Sequence, residues 1–196
     1  MSAIIEKLLG ENGSGANGYC VAYFYFKHEQ PNKESHNSLL RAILWQLIGK
    51  DPAICDHLYG SILSTEEVNL RSTKKLEELV MTALESYRIS YIVLDGLDEC
   101  APNEAPKSVK WFLSLVNGKL QATSAVLRVL FCGQRDGVLD KLLATQPSIS
   151  LETPCHIEDV RRYCRDFCGK IREKFDIPPK MEEDIITRVA NEAEGI

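Results

Sequence analysis

Three short, largely apolar runs, set between longer amphipathic stretches, constrain this chain more than any other feature. Tyr19–Phe26 (YCVAYFYF), Tyr91–Leu94 (YIVL) and Val126–Cys132 (VLRVLFC) do not alternate apolar with polar, and they are rich in aromatic and β-branched residues. Such strands are buried on both faces, which implies a mainly parallel sheet with helices covering it. The stretches between them have helical periodicity. Ser2–Leu9 carries Ile4, Ile5, Leu8 and Leu9, and a helix from about Ser38 to Gly49 carries Leu39, Leu40, Ile43, Leu44, Leu47 and Ile48. Leu76 to Tyr87 and Val109 to Val116 repeat the pattern, and Asp51-Pro52 can restart a short helix carrying Ile54, Leu58 and Ile62. Each is long enough to carry the chain from one parallel strand to the next, so the expected class is α/β. A last short strand is expected at about Ser148–Leu151. Ligands of such sheets bind beyond the carboxyl ends of the strands.

Composition narrows the function classes. A length of 196 residues predicts one main core, and 44% hydrophobic with 26% charged residues excludes disordered, collagen-like and coiled-coil chains. The net charge is -5 and no basic block stands out, so nucleic acid is not an expected partner. No apolar run approaches the roughly 18–20 residues that cross a bilayer, and the N-terminus lacks a signal-peptide pattern. A cytoplasmic protein with no membrane partner is therefore expected. The seven cysteines are odd in number and sit mainly in apolar stretches, as reduced thiols do. Cys155, His156, Cys164 and Cys168 offer four potential zinc ligands in a short span, but the x3 spacing and the lack of a second compact pair argue against a zinc site. After Pro154 the chain becomes highly charged, with 8 basic and 10 acidic side chains over residues 156–196. Two amphipathic helices are expected there, so the domains divide as 1–154 and 155–196.

The sharpest chemical signal is Tyr91-Ile-Val-Leu-Asp95-Gly-Leu-Asp98-Glu99-Cys100. Three carboxylates follow a buried strand at the point where the chain leaves the sheet. Mg²⁺ prefers such oxygen ligands and usually keeps several of its waters, and a second acidic residue can orient or deprotonate an attacking water. The plainer alternative is a solvated acidic loop in which Asp98 caps the next turn. The four histidines pair with no Ser or Cys in a hydrolase pattern and are expected to be surface or satisfied polar residues. Trp45 and Trp111 lie on apolar helical stretches and are expected in the core.

This string resembles the Walker B segment of NACHT-type signal-transduction ATPases of the STAND class. The whole chain is similar to the large fungal set with nephrocystin-like N-terminal P-loop domains. Five stations match in order: Ala22–Phe26, Leu39–Ile48, Ile92–Cys100, Val129–Arg135 and Ile157–Val160. The resemblance implies a three-layer P-loop NTPase core of the additional-strand type, followed by part of a helical lid domain. It implies that Asp95 coordinates Mg²⁺, that Asp98 and Glu99 polarise the water, and that Arg135 reads the γ-phosphate of ATP. In the family the sensor strand ends in Ser-Arg-Pro, whereas this chain has Gln134-Arg135-Asp136, which sets a negative charge beside the expected phosphate.

The phosphate-binding loop GxxxxGK[ST] does not occur in the sequence. Gly10–Asn17 has glycines at similar spacing, but Ala16 and Asn17 stand where Lys and Ser/Thr are needed, so a surface turn is expected. The chain is expected to begin just after that loop, as part of a larger switch protein, and to bind Mg-ATP weakly or not at all by itself. In the intact parent, ATP hydrolysis would toggle two states. The alternatives are a non-catalytic protein-interaction module and a Mg²⁺-dependent phosphoesterase. The resemblance also implies that strand 1 is missing, that the Walker B strand lies between the aromatic and sensor strands, and that the open sensor edge invites self-association or another domain.

Overall fold

Three parallel strands form one sheet: β1 (Tyr19–Tyr25), β2 (Ile89–Asp95) and β3 (Val126–Phe131), in the order β1-β2-β3. The computed structural model describes residues 2–12, 18–51, 53–56, 58, 72–120, 124–134, 137–150 and 154–192. Register is continuous across the sheet, with Cys20 beside Ser90 and Ser90 beside Leu127. The sequence of the middle strand, with Ile92, Val93 and Leu94 all buried, matches its place between two neighbours. It also begins two residues earlier than its apolar run, at Ile89, because Gly18 accepts from Arg88 and Ile89 and draws them into line.

The two faces of the sheet are covered unequally. Ala22, Phe24, Ile92, Leu94 and Leu127 face three helices: α2 (His36–Lys50), α3 (Thr73–Glu85) and α4 (Glu104–Ser114). Those helices contribute Leu39, Leu40, Ile43, Leu47, Leu76, Leu79 and Phe112, all essentially inaccessible. Ser35 caps α2 by accepting from the Ser38 amide, which starts the helix at His36, ahead of the apolar stripe. On the opposite face α1 (Ser2–Asn12) buries Ile5, and a shallow apolar hollow of about 110 Å³ lies between Leu8 and the strands at Tyr91, Val93 and Leu130.

Several expectations need correction. Helix α1 runs through Gly10 to Asn12, so the first part of the expected turn is helical; residues 13–17 lie outside the described residues. Trp45 is 79% exposed rather than buried. It is two positions from both Ile43 and Leu47, about 200° around the helix from the buried stripe. Ser148–Ser150 form no strand: they fall in the second compact unit whereas the sheet belongs to the first, and Ile149 is exposed; Leu151 lies outside the described residues. A helical turn at 53–56 follows Asp51, whose carboxylate accepts from the Ala53 amide, while Ile62 lies outside the described residues. A short helix, α5 (Val138–Leu143), follows β3 without having been expected.

Residues Met1–Ala144 form one compact unit and Thr145–Ile196 a second, and the helices of the second begin at Pro154. That second unit is a hairpin of α6 (Pro154–Phe175) and α7 (Pro179–Glu192). Its buried core is small: Cys164, Cys168 and Ile186 pack together beside Val160 and Ile185. Arg172 donates to Glu182 at 3.0 Å across the hairpin. Among the described residues no helix is long and apolar enough to cross a membrane.

Candidate functional site

The acidic turn is built on the best-braced strand of the molecule. β2 ends at Asp95, and Gly96 turns the chain with φ +72°, a left-handed conformation that favours glycine. A Cβ at Gly96 would also come within 3.1 Å of the Phe26 carbonyl oxygen. Leu97–Glu99 then form a single 3₁₀ turn whose Leu97 side chain is buried in the core. Backbone hydrogen bonds tie this turn to both flanking strand exits. Phe26 N donates to Asp95 O at 2.9 Å, Leu97 N to Cys132 O at 3.1 Å, and Cys132 N to Leu94 O at 2.8 Å.

The structure brings Asp95, Asp98 and Glu99 to the carboxyl end of the sheet and gives each a backbone partner. Half-buried Asp95 accepts from the Gly96 amide through Oδ1 at 3.1 Å. Asp98 Oδ1 accepts from Gln134 N at 3.1 Å, and Glu99 Oε2 accepts from His28 N at 3.3 Å. Asp98 therefore bridges to the exit of β3, a contact that the plainer alternative, in which it caps the next turn, did not include. The approach requires glycine at 133, where a Cβ would lie 2.8 Å from Asp98 Oδ1. Arg135 and Asp136 lie outside the described residues.

Two thiols near the turn are held protonated. Burial pushes Cys132 up to about 11, with Asp95 adding to the effect, and burial pushes Cys100 up to about 12, with Glu104 adding to it. Cys100 Sγ donates to the Glu34 carbonyl at 3.1 Å. Neither is suited to act as a nucleophile near neutral pH. Of the four zinc-type residues, Cys164 and Cys168 are buried against Ile186, while the side chains of Cys155 and His156 lie outside the described residues. Among the described residues no group of three His, Cys, Asp or Glu side chains converges as metal ligands.

His36 is the polar centre that the sequence reading left unspecified. Its ring is fully buried, with Nε2 3.0 Å from Glu77 Oε1 and Nδ1 3.0 Å from Ser108 Oγ, while its amide donates to Glu104 Oε2 at 2.8 Å. The network joins α2, α3 and α4. Burial lowers the His36 pKa, and this outweighs the opposing pull of Glu77. The signal was available: 36, 40, 43 and 47 lie on one helical stripe, so His36 extends the buried face of α2.

A family model described as nephrocystin 3, N-terminal, matches residues 1–134, which include β1, β2, β3 and the whole acidic turn. No curated protein matches the chain.

Proposed function

The chain belongs to the nephrocystin 3 N-terminal family, and from that premise we propose that it is the Walker B part of a NACHT-like P-loop ATPase whose intact form switches state by binding and hydrolysing ATP. The observation that carries this reading is Asp95 at the carboxyl end of the middle strand of a parallel sheet, with the exit of β3 hydrogen-bonded beside it. A ligand of such a sheet sits there.

The donor set fits Mg²⁺ held largely through water. Asp95 uses Oδ1 on the Gly96 amide, and its other oxygen has no hydrogen-bond donor among the described residues. Asp98 and Glu99 likewise each keep one oxygen free of a described donor, which suits them to orient a water. The bound metal would neutralise phosphate charge. The triphosphate itself does not fit these residues alone: the sequence holds no GxxxxGK[ST] to supply an amide cradle and a lysine. We place that missing strand and loop beside β3, whose outer edge has no partner strand among the described residues. Arg135, which follows Gln134 in the sequence, is assigned the reading of the γ-phosphate on the family resemblance alone.

A second reading, a non-catalytic interaction module, is favoured by the backbone bonds of Asp98 and Glu99, which brace the fold without any ligand. Variants separate the two in a longer chain that carries a strand and P-loop ahead of residue 1. Asp95→Ala is expected to abolish metal-dependent ATP hydrolysis, and Glu99→Gln to bind ATP but turn it over slowly. Unimpaired turnover in both variants would favour the solvated acidic loop, and no turnover in the unsubstituted longer chain would favour the interaction module.

A further inference from the structure

Helix α6 carries an apolar ridge that its own hairpin does not use. Tyr163, Phe167, Ile171 and Phe175 recur every four residues and are 62%, 48%, 37% and 63% exposed. Cys164 and Cys168, one position on from the first two, are the residues that face α7. The ridge is ordered within itself: the Tyr163 and Phe167 rings lie 4.9 Å apart, and Lys170 and Lys174 sit over Phe167 and Phe175 at 5.2 Å. Neither lysine makes an ion pair among the described residues. A two-helix hairpin with so small a core is poorly stabilised alone, so an occupant for the ridge adds what the hairpin lacks.

We propose that the ridge is a homodimer contact, in which α6 packs antiparallel on α6 of a second copy about a two-fold axis near residue 169. The pattern is self-complementary in that arrangement. Tyr163 meets Phe175 of the second copy, and Phe167 meets its Ile171. Ridges at four-residue spacing on both helices interdigitate at a crossing angle of about −50°. Charge agrees with shape. Asp166 lies about 40° around the helix from Lys170, on the same flank of the ridge, and the two-fold turns equal flanks toward each other. Lys170 and Lys174 of one copy therefore face Asp166 of the other, within one helical turn along the axis. This contact is independent of the nucleotide reading, because it involves neither the sheet nor the acidic turn.

The test is sedimentation velocity on the full 196-residue chain from 1 to 100 μM, with circular dichroism to verify that each variant keeps its helix content. The wild-type chain is expected to dimerise with a concentration-dependent sedimentation coefficient, and Phe167→Glu to stay monomeric throughout. Lys170→Glu alone and Asp166→Lys alone should each weaken the dimer at least tenfold, because like charges then meet across the axis. Mixing these two variants should restore it, since each then offers the other opposite charges; pairing within one helix cannot produce that result. A wild-type chain that is monomeric at 100 μM overturns the proposal. So does a dimer that survives Phe167→Glu but is lost in Leu130→Lys, which would place the contact on the edge of β3. Failure of the mixed variants to associate better than either alone also overturns it.

Discussion

Strands β2 and β3 are both apolar and nearly equal in length, yet they live in different surroundings. β2 has a hydrogen-bonded neighbour on each side, and Ile92 and Leu94 are inaccessible. β3 has one neighbour among the described residues, and Val126 and Leu130 on its outer face are 44% and 37% exposed. A run of apolar residues identifies a strand but not whether the strand is central; the partners decide that. The acidic turn grows from the central strand, which is hydrogen-bonded along both edges, while β3 keeps one edge with no partner strand among the described residues.

The largest effect that sharpens this contrast is in the core. Phe112→Ala, which removes a fully buried ring beneath the sheet, is expected to cost about 3–5 kcal/mol, and Ile92→Ala about 2–5 kcal/mol, in urea unfolding. Leu130→Ala on the open face should cost well under half of the Ile92 value. Equal losses at 92 and 130 would erase the distinction between the two strands.

A smaller effect probes the link between them. Gly133→Ala sets a Cβ against Asp98 Oδ1 and the amides of Leu97 and Asp98, and should cost about 1–3 kcal/mol. Adding Asp98→Ala removes the side-chain part of that clash, so the double variant should lose less than the two single losses combined. Strict additivity would show that the exit of β3 does not lean on the acidic turn.

The pH response tests the covered face. The folded His36 pKa lies below its ordinary value, so the unfolded chain binds the extra proton first as pH falls. Stability from His36 is therefore complete above about pH 6.5, the ordinary histidine value, and is lost progressively as pH falls below it. Unfolding free energies from pH 8 to 5 should show this decline in the wild-type chain and a shallower one in His36→Gln. An unchanged slope would remove His36 as its source. Smallest of all, Trp45→Lys on the exposed side of α2 should change stability by no more than about 0.5 kcal/mol.

Much of this arrangement was legible in the residues, and the reasons for the rest are physical. The three apolar runs gave parallel strands in the expected neighbour order, with the acidic string at the end of the middle one. Periodicity located α2, α3, α4 and the two helices of the hairpin. Capping set what periodicity could not, since Ser35 starts α2 ahead of its apolar stripe. Trp45 misled because size and apolarity suggest burial, whereas its angle around the helix places it outside. Ser148–Ser150 looked like a strand locally but form none among the described residues, because a local pattern does not supply the neighbouring strand that a strand needs. The bridges from Asp98 to Gln134 and from Glu99 to His28 span 36 and 71 residues, and nothing in local spacing signals them.

The most direct test of the central claim, that the acidic turn is one part of a nucleotide site and lacks its phosphate cradle within these residues, is calorimetric titration of Mg-ATP into two chains. One is the 196-residue chain, and the other carries a strand and a GxxxxGK[ST] loop ahead of residue 1. The expected result is no binding tighter than about millimolar for the first and micromolar binding for the second, roughly 4 kcal/mol apart. Micromolar binding of Mg-ATP by the 196-residue chain itself would contradict it.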